Sequence, residues 1–71
     1  MAHDRSNKAI EELCISYSAY MRAISEQNNH AIITWAICLI SDQKNTGVTM
    51  VPMDLLQNTI QLRKELVKEI Y

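Results

Sequence analysis

Residues 30–40 read HAIITWAICLI, and within those eleven residues only His30 and Thr34 are not apolar. At about 100° per residue, a helix through this run spreads Ile32, Ile33, Trp35, Ala36, Ile37, Leu39 and Ile40 over more than half of its circumference. His30, Thr34, Cys38 and Ser41 remain as a narrow polar or small stripe. A helix lying half in water carries an apolar arc of about 100° or a little more. This one is wider, so the segment is expected at the centre of the fold, covered from several sides. In a chain of 71 residues, one domain at most and near the lower limit for a self-sufficient core, few neighbours are left to cover it.

Those neighbours are expected to be helices. One Gly and one Pro leave few tight turns, which an all-β fold would need in number. In the first segment Ile10, Leu13, Tyr17, Tyr20 and Ile24 follow a 3-4 spacing that Cys14 and Met21 widen, with Glu11, Glu12, Ser18, Arg22 and Glu26 on the other side. A helix is expected from about residue 7 to about 26, with Asp4, Ser6 and Asn7 as candidate caps. Asn28 or Asn29 caps the second helix, expected from about 29 to about 41. The short break between the two makes them antiparallel neighbours, a helical hairpin. Gly47 marks a turn in the looser stretch that follows, and Val48–Val51 read as an extended strap over the core. Pro52, and Asp54 with Gln57 as a capping box, announce a third helix from about 53 to 71. Its inward residues are expected to be Leu55, Leu56, Ile60, Leu62, Leu66, Val67 and Ile70. The expectation is thus a single all-α domain over 1–71, a three-helix fold with an N-terminal antiparallel hairpin.

The apolar residues exceed what three helices need to cover one another. The second helix is over-wide, and the apolar arc of the third spans roughly half the wheel. Ile15 also stands on the polar side of the first helix, between Glu11 and Arg22. Leftover apolar surface marks a protein interface, which suggests a homodimer or a protein partner supplying the missing wall; a monomer closed by the 48–51 strap is the alternative. The residues expected to meet the partner are Ile15, Trp35, Leu56, Ile60, Arg63 and Val67. Arg63 is the most telling, a charge inside the apolar arc of the third helix. Such a charge is costly unless paired. It implies an interface ion pair with an acid such as Glu11, Glu12 or Asp42, or else a stem that covers the core rim while its guanidinium reaches water.

Chemistry-bearing residues are sparse. His30 and Cys38 on one helix stand about 12 Å apart, while zinc holds its ligands within about 2.3 Å. No CxxC or HxxxH spacing occurs, so no metal, cofactor or catalytic residue is assigned. Cys14 and Cys38 read as packing thiols, and His30 as a solvated residue at a helix start. Trp35 and the tyrosines at 17, 20 and 71 read as core packing. The four methionines allow adaptable contact at a partner surface. The formal charge of −1, with seven basic residues scattered against eight acidic ones, disfavours direct nucleic-acid binding, which wants a basic face. The opening MAHDRSNK is no secretory signal, and an apolar run of eleven falls short of the about 20 residues that span a bilayer. A cytoplasmic protein with reduced cysteines is expected.

From about residue 28 onward the order NN, II–WAICLI, polar linker and MDLLQNTIQLRKELVKEI resembles two groups of small enterobacterial helical proteins. One is the biofilm and acid-resistance regulator family of the YmgB/AriR type, and that resemblance implies dimers of short helices. The other is the fumarase D type, which ELC at 12–14 also loosely resembles and which implies a hydratase-like activity. The residues themselves favour a small non-enzymatic regulatory or inhibitory protein acting by protein–protein contact. A small hydratase-like enzyme and an accessory nucleic-acid-binding regulator are the alternatives.

Overall fold

The computed structural model of the chain describes residues 2–70, with side-chain surroundings for residues 7–68. It is all-α: helices α1 (Ala2–Ser25), α2 (Asn29–Thr46) and α3 (Met53–Ile70), with no strand among the described residues. α1 begins at Ala2 rather than near residue 7, so Asp4, Ser6 and Asn7 lie inside the helix and none caps it. Nothing in that polar start, which lacks Gly and Pro, interrupts helical backbone. Tyr71 and the side chain of Ile70 lie outside the described residues.

The link between α1 and α2 is built almost wholly from backbone. Gln27 takes a left-handed φ of 56°. The Asn28 N–H then reaches the Ala23 carbonyl at 3.1 Å and the Gln27 N–H reaches that of Ile24 at 3.1 Å. This pair of bonds is the Schellman closure, which satisfies carbonyls a helix end leaves orphaned. Asn28 also starts α2: its side chain accepts from the Ala31 N–H at 3.1 Å and its carbonyl from the Ile32 N–H at 2.9 Å. One residue thus finishes the first helix and caps the second.

α2 runs to Thr46, past the expected end near Asp42. It stops where the chain can adopt φ of 73° without a Cβ, at Gly47, whose N–H closes on the Gln43 carbonyl at 2.9 Å. The strap expected over Val48–Val51 is a weaker cover than its sequence suggests. Val51 is buried, while Val48 and Met50 are exposed. The loop is held instead by Gln43, a buried residue at the end of α2. Its Oε1 accepts from the Met50 and Val51 N–H groups at 2.7 Å each, and its Nε2 donates to the Met53 sulfur at 3.4 Å. α3 opens on the Pro52 carbonyl, which accepts from the Leu56 N–H at 3.2 Å. The expected Asp54–Gln57 capping box does not form; Asp54 lies in the first turn, where its charge complements the helix dipole.

α2 is the middle element, packed on both α1 and α3, while among the described residues no Cα of α1 comes within 8 Å of α3. The core comprises Leu13, Tyr20 and Ala23 of α1, Ile32, Ala36 and Leu39 of α2, Val51 of the loop and Leu56 of α3. Ser16 of α1 donates its hydroxyl to the Asp42 carboxylate of α2. Arg63 of α3 donates to Asn29 Oδ1 at the other end of α2, at 3.1 Å. Two helices flanking a third without closing on each other give an elongated plate of 48 × 21 × 15 Å. Among the described residues no helix is long and apolar enough to cross a membrane.

Candidate functional site

The open arrangement divides each outer helix into two apolar rows. On α1, Leu13, Ser16, Tyr20 and Ala23 form the buried row. One step round the helix, Ile10, Cys14, Tyr17, Met21 and Ile24 repeat the same 3-4 spacing, exposed apart from the half-buried Tyr17. On α3, the row Met53, Leu56, Ile60, Arg63 and Val67 lies against α2, fully or half buried. Beside it stand Leu55, Thr59, Leu62 and Leu66, of which only Thr59 is half-buried. Ile10 and Ile24, and Leu55, Leu62 and Leu66, were expected inward; the structure turns all five toward solvent. A helix that touches one neighbour can bury one row only, and α1 and α3 each touch α2 alone.

The two outer rows meet on one side of the molecule. Ile24 from α1 and Thr59, Leu62, Arg63, Glu65 and Leu66 from α3 line a groove of about 470 Å³. Its walls are mainly aliphatic. Its two charges are the Arg63 guanidinium, steadied by Asn29, and the Glu65 carboxylate, which accepts from Gln61 Nε2 at 3.2 Å. The Thr59 hydroxyl donates to the Leu55 carbonyl at 2.8 Å within its own helix. Such a groove can bury aliphatic side chains and fix their orientation through one cation and one anion.

The residues expected from sequence to meet a partner are only partly placed together. Leu56 is 0% exposed, a core residue with no surface to offer, and it leaves the candidate interface. Ile60 and Val67 are half-buried in the row against α2, and Trp35 is half-buried beside the core. Ile15 is 59% exposed but stands on the flank of α1 away from the outer row. Arg63 alone of the six lines the groove. The excess expected on α2 is mostly covered: Ile32, Ala36 and Leu39 are buried and Ile33, Trp35 and Ile40 half-buried, leaving Ile37 at 53% exposed. The groove residues Ile24, Leu62 and Leu66 were legible as a second 3-4 row, had each wide arc been divided in two.

His30 and Cys14 are exposed and Cys38 is half-buried, the cysteines being free thiols. Among the described residues no three His, Cys, Asp or Glu side chains are grouped to hold a metal ion. Compared with protein-family models, curated proteins and solved structures, the chain finds no match.

Proposed function

We propose that this chain is a small regulatory or inhibitory protein that acts by protein–protein contact through exposed apolar helix faces. In this reading α1 and α2 form an antiparallel hairpin with α3 laid alongside. The three-residue link and the bonds Ser16–Asp42 and Arg63–Asn29, toward opposite ends of α2, support that layout. The observation that carries the reading is the placement of apolar surface. Of the exposed large hydrophobics, Ile10, Met21 and Ile24 fall in one row of α1 and Leu55, Leu62 and Leu66 in one row of α3. Scattered apolar residues are ordinary on a surface, whereas contiguous rows beside a groove mark a docking site. Each half-exposed aliphatic side chain leaves roughly 1 kcal/mol of burial unrealised, a driving force that a bound protein collects.

A photoreactive side chain placed at Leu62 or Leu66 in the living cell tests this. Discrete protein adducts are expected from both positions, and none from Lys44 on the outer side of α2. If neither groove position yields a protein adduct, the reading is wrong.

A further inference from the structure

We propose that the occupant of the groove between α1 and α3 is a second copy of this chain. The two outer rows of one copy would stack on those of the other about a two-fold axis. This rests on the reading that the exposed rows are protein-docking surfaces, and adds which protein docks and by which face. Three observations select a second copy.

The first is area. A compact chain of 8.2 kDa exposes about 4,500 Å². This one exposes 5334 Å², an excess of roughly 800 Å², which is about what each partner contributes to an interface of standard size.

The second is charge. The groove carries one guanidinium, Arg63, and one carboxylate, Glu65, two residues apart. A partner of a single sign satisfies one and opposes the other. A two-fold axis through this stretch presents the same pair in reverse order, so each cation faces an anion, the self-complementarity an isologous contact requires. The near-neutral net charge of −1 adds little repulsion between copies.

The third is shape. Each copy offers two apolar ridges separated by a furrow, because α1 and α3 are held apart by α2. Two such faces interlock as a four-helix core of α1, α3 and their symmetry mates, with each α2 on the outside. Ile37 and Ile15 lie off this face and take no part.

Sedimentation equilibrium of the full chain, from low micromolar to millimolar concentration, reads the association. A reversible monomer–dimer equilibrium is expected. Leu62→Glu and Leu66→Lys should each weaken it by about 100-fold, as burial of an unpaired charge at an interface centre does. Glu65→Lys, which sets like charges face to face, should weaken it by about 10-fold. Ile37→Glu, at a residue as exposed as Leu62, should leave it unchanged. All four sites are at the surface, and far-UV circular dichroism checks that each variant keeps its helices. A dimer that survives both Leu62→Glu and Leu66→Lys, or that Ile37→Glu dissolves, overturns the assigned face. A wild-type chain that stays monomeric at millimolar concentration overturns the second copy as occupant. Photoadducts to a different protein would then leave the broader docking function standing, and their absence would end both.

Discussion

Three residues hold the backbone where the helices alone would not. Gln27 occupies a left-handed conformation that costs an L-residue about 1–2 kcal/mol relative to glycine. Glycine there also loses more chain entropy on folding. Gln27→Gly is therefore expected to stabilise the fold by a net of about 0.5–1 kcal/mol, read as a higher urea midpoint with unchanged slope. Gln43 is the opposite case. Its amide is the partner of two backbone N–H groups and a sulfur at the base of the loop. Gln43→Leu keeps the volume but strips those partners, and should cost about 2–4 kcal/mol, seen as a lower urea midpoint. Asn28 was readable as a cap from the dipeptide Asn-Asn before an apolar run. Gln43 was not, because a glutamine beyond the last apolar residue of a helix resembles any linker residue until the loop folds back onto it.

At the scale of elements, α1 and α3 each carry two apolar rows and bury only one, since each packs on a single helix. Neighbouring residues of α3 should therefore respond very differently to the same truncation. Leu56→Ala removes a side chain that is 0% exposed and is expected to cost about 2–5 kcal/mol. Leu55→Ala, at a position 54% exposed, should cost no more than about 0.5 kcal/mol in the monomer. Thermal denaturation of the two variants at low concentration gives the comparison, and equal losses would mean that α3 is seated on α2 by another face. The existence and type of all three helices were written in their periodicity. Helix ends followed the sequence where a residue has a special backbone need, as at Asn28 and Gly47. They departed from it at Asp4 and Asp42, where polarity alone suggested a boundary. Polarity is a poor stop signal, because helical backbone tolerates Asp, Ser and Gln at small cost, and tertiary partners such as Ser16 for Asp42 offset even that.

For the molecule as a whole, the consequence is a plate with an open face. If a second copy covers that face, stability and association are linked. The unfolding midpoint of the wild-type chain is expected to rise with protein concentration, while that of Leu62→Glu stays flat. Calorimetry at two concentrations a hundredfold apart measures the difference; identical midpoints for the wild type would count against the dimer.

The sequence by itself determined that this chain is helical, that three helices form, and that the greasiest of them lies between the other two. Periodicity, turn residues and the scarcity of glycine are local properties, and local properties suffice for those conclusions. Which of two equally apolar rows on α1 and α3 turns inward was decided only when the helices packed. Leu56 and Leu62 are the same residue on the same helix, and the choice between them depends on the angle at which α3 meets α2. That angle is fixed by contacts distant in sequence, Gln43 on the loop at one end and Asn29 on Arg63 at the other, which no local pattern records.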